Sequence, residues 1–185
     1  MNPQRTALVL IRRQNDYFAP GGALEDLAEH GLLRDYLTGV ARRPLLHDDL
    51  HQTLDRVTLH GCTAAVLAID IDLFPNVNDR FGGDTGDRVL IEVGRRLRAA
   101  LRSSDSVSGP DIVACIDVDV FFVVCEDMNG ERAAAAIAAR LAEAISSPIE
   151  LDGQTVTVTV GIGIVHGTAS HDSEAVVRDA EDALR

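Results

Sequence analysis

Apolar residues recur at helical spacing in some stretches of the chain and at strand spacing in others. Arg42 to His60 carries Leu46, Leu50, Leu54 and Val57, which share one face of a helix. Ala64 to Ile71 is apolar until Asp70, the pattern of a buried strand whose last residues emerge into a site. Asp87 to Leu101 sets Val89, Leu90, Val93, Leu97 and Leu101 in one stripe, and leaves Arg95, Arg96, Arg98 and Arg102 on a face expected to meet water. Ile112 to Cys125 is strand-like throughout. A single strand of that length would far exceed the usual ~5–6 residues, so a hairpin with an altered turn is preferred. Asn129 to Ile145 is Ala-rich and helical, with Asn129 in the N-cap region. Pro148 to Leu151 and Gln154 to Val165 flank Asp152-Gly153, a favoured two-residue hairpin turn. Ser173 opens a last helix that runs to Arg185. Upstream, Ala7 to Ile11 predicts a strand, Pro20-Gly21-Gly22 a loop, and Leu24 to Leu33 a short amphipathic stretch. The chain thus divides into an N-terminal extension, residues 1–32, and a main domain, residues 33–185. The order β-α-α-β-α-β-β-α-β-β-α predicts an α+β fold, a mainly antiparallel central sheet flanked by helices.

Composition narrows the function. The formal charge is −12 over 185 residues, which argues against a grip on nucleic-acid backbones or anionic membranes. All 17 basic residues are Arg. Schiff-base chemistry, a P-loop lysine and a lysine general base are therefore excluded. The apolar runs are too short for a membrane span, and Met1 to Arg13 lacks the features of a signal peptide. Cys62, Cys115 and Cys125 have no ligand-like spacing and read as small hydrophobes of a reducing compartment. A cytoplasmic protein is expected.

The candidate chemistry gathers in Asp70-Ile71-Asp72, Asn78-Asp79-Arg80-Phe81-Gly82 and Asp84-Thr85-Gly86-Asp87. A carboxylate at the end of a buried strand suits Mg²⁺, which takes one or two protein carboxylates and leaves its other positions to phosphate and water. Asp117 and Asp119 supply a second carboxylate pair in the next strand region. If the two strands are neighbours, Asp70 and Asp119 can share metal.

These motifs, in this order, resemble the GGDEF family of diguanylate cyclase domains over residues 35–185. Asp35-Tyr36-Leu37-Thr38-Gly39 is similar to the family's opening D-x-L-T-G. The segments 68–74, 77–82 and Gly86-Asp87 are similar to its D-x-D-x-F, I-N-D-x-x-G and G-D block. Val158 to Ile164 is similar to its late strand, and Asp179 to Leu184 to its last helix. The resemblance implies a palm-like nucleotidyl-cyclase fold and condensation of two GTP into cyclic di-GMP with two Mg²⁺ in an antiparallel dimer. It implies metal ligation by Asp70, Asp119 and the Ile71 carbonyl. It also implies hydrogen bonding of the guanine edge by Asn78 and Asp87, roles an amide and a carboxylate can fill.

Departures from the pattern bear on activity. The signature Gly-Gly-Asp/Glu-Glu-Phe reads Asp117-Val118-Asp119-Val120-Phe121. Val118 resists positive φ, so the turn should be reshaped. Asp117 puts negative charge where a triphosphate would pass, worth about 4 kcal/mol of repulsion at about 4 Å in a surface-like dielectric. Val120 stands where the family has a Glu implied in metal binding and proton removal, so no catalytic residue is assigned. A family lysine falls on Pro75, and another would fall after Arg185. The R-x-x-D of the family's product site reads Ser108-Gly109-Pro110-Asp111, and feedback through it is not expected.

Plainer readings compete with these. Asp70 and Asp119 can be solvated strand-end carboxylates, and Asp87 a helix cap. His47-Asp48-Asp49-Leu50-His51 imitates a zinc-protease helix motif but lacks a third ligand. The arginines at 95, 96, 98 and 102 read as a solvated helix face. Leu8 to Phe18, with the Pro20-Gly21-Gly22 loop, is similar to the start of isochorismatase-like hydrolases. That family's catalytic Asp falls on Arg12, so hydrolase activity is not expected. The sequence therefore predicts a degenerate, catalytically inactive GGDEF-like domain in cyclic di-GMP signalling. It would bind GTP or another guanine nucleotide weakly, or none, hold at most a weak Mg²⁺, and act through a protein partner or a second copy of itself. The alternative is a residual diguanylate cyclase.

Overall fold

The computed structural model describes residues 33–102, 112–126, 131–167 and 172–184. In chain order these form α1 (Arg43–His60), β1 (Ala64–Ile71), α2 (Phe74–Phe81), α3 (Gly83–Arg102), β2 (Ile112–Cys115) and β3 (Val120–Cys125). There follow α4 (Glu131–Ser146), β4 (Ile149–Leu151), β5 (Gln154–Val156), β6 (Val160–Gly167) and α5 (Ser173–Asp182). The expected strand at 7–11, the amphipathic stretch at 24–33 up to residue 32, the extension 1–32, Asn129 and the 108–111 stretch lie outside the described residues.

Four strands make the central sheet in the order β2-β3-β1-β6, with each neighbouring pair antiparallel. β1 is apolar on both sides because both sheet faces are covered. Ala65, Leu67, Ile69 and Ile71 pack with Val89, Val93 and Leu97 of α3 and Ile137, Leu141 and Ile145 of α4. Ala64, Val66 and Ala68 pack on the other face with Leu46, Leu50 and Leu54 of α1 and Val176, Val177 and Ala180 of α5. β3 alternates likewise, with Phe121 in the first layer and Phe122 in the second, both fully buried. The architecture is the expected α+β sandwich. Among the described residues, no helix is long and apolar enough to cross a membrane.

Five local expectations are corrected. The last helix, expected to run to Arg185, ends at Asp182 with Ala183 as its C-cap. Phe74–Phe81 is a helix, an element the spacing of apolar residues does not predict. The following helix begins at Gly83, so Asp87 lies inside it rather than capping it. The predicted strand Gln154–Val165 divides in two. β5 pairs only with β4 across the Asp152-Gly153 turn, whose φ values of 51° and 78° fit the expected two-residue hairpin. Beyond residue 159 the same apolar alternation continues, but the pairing partner changes to β1. The arginine face of α3 is only partly solvated. Arg95 is exposed, but the Arg96 side chain is only 12% accessible. Arg96 donates to Ala144 O at 3.1 Å, Ile145 O at 2.9 Å, Pro148 O at 2.8 Å and Ser147 O, and so caps the C-terminus of α4. Arg98 donates to Thr38 O at 3.1 Å and anchors the loop before α1.

Candidate functional site at the end of the central sheet

The site residues meet where β1 ends, β2 turns into β3, and β6 begins. Asp70 pairs in register with Val120 on one side and Gly161 on the other. The Ile71 amide donates to Asp119 O at 3.2 Å, and the Asp72 amide to Thr159 O at 2.9 Å. The strand pairing thus brings Asp70, Ile71 and Asp119 together, as the neighbouring-strand expectation requires. The Asp70 carboxyl is held above the ordinary carboxylate range, first by burial, then by the negative charges of Asp119 and Asp72. A cation beside Asp70 would relieve that repulsion. Two carboxylates and a carbonyl are a donor set that fits one Mg²⁺. No group of three or more His, Cys, Asp or Glu among the described residues is gathered to hold a metal. Asp72 is differently engaged: its Oδ2 accepts from Thr159 Oγ1 at 2.6 Å.

The signature segment is a short hairpin turn, as preferred over a continuous strand. β2 ends at Cys115 and β3 begins at Val120, with the Ile116 amide donating to Val120 O at 3.1 Å. None of residues 117–119 has positive φ, so the backbone takes a course that β-branched Val118 tolerates. Asp117 Oδ1 accepts from the Val118 amide at 2.8 Å, and the Cys115 thiol donates to Asp117 O at 2.9 Å. The turn is closed on itself, with Val118 62% exposed at its tip. Val120 supplies no donor or acceptor side chain.

Asn78 and Asp87 come from α2 and α3. α2 arises because Phe74 and Val77 bury one face and Pro75 suits a first helical turn. The Asn78 side chain lies against Gly86, the residue before Asp87. Asn78 is half-buried and Asp87 exposed. Two clefts lie elsewhere, one lined by Arg43, His47 and Arg178, the other by Arg88, Glu92 and Ile149. The His47 and His51 pair gathers no metal set: His47 contacts Ser173 Oγ at 3.4 Å and His51 is exposed.

One cluster escaped sequence reading. Glu126, just past β3, accepts from Thr53 Oγ1 at 3.0 Å and from the Arg56 guanidinium, tying α1 to the sheet. The only signal was a Glu directly after a buried strand.

The family model "Diguanylate cyclase, GGDEF domain" matches residues 32–185. The chain belongs to the GGDEF family. This GGDEF domain is 35% identical over 161 residues to an uncharacterized signaling protein of Caulobacter vibrioides, covering 85% of the chain and 18% of that relative. It is 33% identical over 157 residues to diguanylate cyclase TpbB of Pseudomonas aeruginosa, covering 84% of the chain and 35% of that protein. The chain therefore spans only about a fifth to a third of the length of these relatives. Among solved structures, a sensory box/GGDEF family protein from Caulobacter crescentus aligns with a TM-score of 0.73 at 32% identity, over 82% of this chain and 95% of that one.

Proposed function

We propose that this GGDEF domain does not make cyclic di-GMP and serves in cyclic di-GMP signalling by binding a guanine nucleotide or a protein. The observation that carries the reading is the 116–120 turn. It contains no glycine, places Asp117 beside the turn amide and presents Val120 where the resemblance implies a carboxylate. A valine at that position takes no proton and holds no metal, and the added aspartate repels phosphate. Asp70, Asp119 and the Ile71 carbonyl would hold one Mg²⁺, which when bound supplies positive charge to a nucleotide phosphate. Asn78 and Asp87 would read the guanine edge, and a second copy of the domain or a different protein would receive the signal.

Incubation of the purified protein with GTP and Mg²⁺ or Mn²⁺ tests the reading. The expected result is no cyclic di-GMP, and clear production of it refutes the proposal. A second reading, a residual cyclase, draws on the side-by-side placement of Asp70 and Asp119. That reading requires Asp70→Ala to abolish turnover, and an unaffected Asp70→Ala variant contradicts it.

A further inference from the structure

The Asn78 side chain rests in a seat that exists only because residue 86 has no side chain. A Cβ built on Gly86 would stand 1.9 Å from Asn78 Oδ1, 3.0 Å from its Cγ and 3.3 Å from Phe74 Cζ. Phe74 is 3% exposed and held in the core, and at 3.3 Å it need give by only a few tenths of an ångström, whereas Asn78 Oδ1 at 1.9 Å has to move. Asn78 is half-buried, and its amide is the free end of a side chain. Gly86 is itself buried, on the turn of α3 that faces α2. It lies in a helix, where glycine is unfavourable relative to alanine and thus needs a reason to be present. Opening the seat for Asn78 is such a reason.

We propose that Gly86 is a positioning residue: it sets the orientation of the Asn78 amide and thereby the preference of this site for guanine over adenine. This rests on the reading of Asn78 as a guanine contact. Gly86 touches no nucleotide in this scheme and acts only through Asn78. An alanine at 86 must turn the Asn78 amide away while leaving the α2–α3 packing in place.

The test uses the full chain, with Gly86→Ala, Asn78→Ala and the double variant titrated with GTP and with ATP. Gly86→Ala is expected to weaken GTP binding at least about tenfold, the effect of a lost hydrogen-bonding pair. It should fall to the level of Asn78→Ala, narrowing the gap between GTP and ATP. The double variant should bind no worse than Asn78→Ala alone. Losses that add, or undiminished GTP affinity in Gly86→Ala, overturn the inference.

A readout without nucleotide separates this inference from the reading beneath it. In the free protein, Gly86→Ala is expected to move the Asn78 side-chain amide NMR resonances while the melting temperature changes by no more than about 2 °C. If the wild-type protein takes up no GTP, the guanine-binding reading fails, and the resonances still decide the role of Gly86. Resonances that do not move overturn it.

Discussion

Replacing Arg96 with methionine keeps the apolar stem of the side chain and removes the guanidinium that closes α4. Four backbone carbonyls lose a charged donor, and Glu92 loses its 2.8 Å partner. A hydrogen bond to a charged group contributes about 1.5–3 kcal/mol. A cation at a helix C-terminus adds about 0.3–1 kcal/mol. The contributions do not sum over four acceptors, because Ser147 and Pro148 sit at the surface and water replaces the donor there. The expected loss is therefore about 2–3 kcal/mol. At roughly 2–4 °C per kcal/mol for a chain of this size, the melting temperature should fall by about 4–12 °C. Urea unfolding should show a lower midpoint with an unchanged slope, since the surface exposed on unfolding is the same. Arg96→Lys should recover only part of the loss, because one ammonium cannot span the set of acceptors. A melting temperature within about 1 °C of wild type for Arg96→Met would show that this cap is not a tether and that the α3–α4 contact stands on apolar packing alone.

Further outcomes follow from other sites. Glu92 is held at about 2, chiefly by the Arg95 and Arg96 hydrogen bonds, against burial that raises it. Its folded value lies below its unfolded value of 4.5, so its stabilisation is present above that pH and is lost as pH falls toward 2. With Arg95 largely solvent-exposed, that share is about 1 kcal/mol, and Glu92→Gln should flatten the acid limb of a stability-versus-pH curve. Glu126→Ala should cost about 1–3 kcal/mol in denaturant unfolding, because Thr53 is fully buried and its hydroxyl loses its acceptor. No measurable loss would mean that the Thr53 hydroxyl finds another partner. Leu73 stands at φ 54° with 74% of its surface exposed. Leu73→Asn should therefore stabilise by about 0.5–1 kcal/mol in thermal unfolding, since Asn tolerates the left-handed region; a fall would mean that the exposed leucine makes a contact worth keeping. Burial, first, pushes the Cys115 thiol up to about 12, so iodoacetamide at pH 8 should label it only after unfolding.

The long elements were legible because burial writes itself into spacing. α1, α3 and α4 each bury one stripe, and β1 buries both faces, so the 3.6-residue and continuous patterns predict them. α2 was not legible by that route. It is only eight residues long, too short to display a period. The end of the strand at 154–165 was hidden because alternation reports which side is buried, not which strand is the partner. The anchoring of Arg96 is hidden for a related reason. An arginine on the polar side of a helix looks the same in sequence whether it ends in water or on carbonyls about fifty positions away. At the site, strand register brings Asp70 to Asp119, while the contact of Asn78 with Gly86 depends on an interhelical approach that only a costly glycine in a helix hinted at.

β2 lies at one border of the central sheet, where an unpaired ladder would invite another chain. Ala41 occupies that border: its amide donates to Val113 O at 3.0 Å, and its carbonyl accepts from the Cys115 amide at 2.8 Å. The segment that guards the rim is the same one through which the polypeptide enters the domain, and the bond to Cys115 lies two residues from Asp117. Two hydrogen bonds thus stitch the segment before α1 to the strand that leads directly into the 116–119 bend.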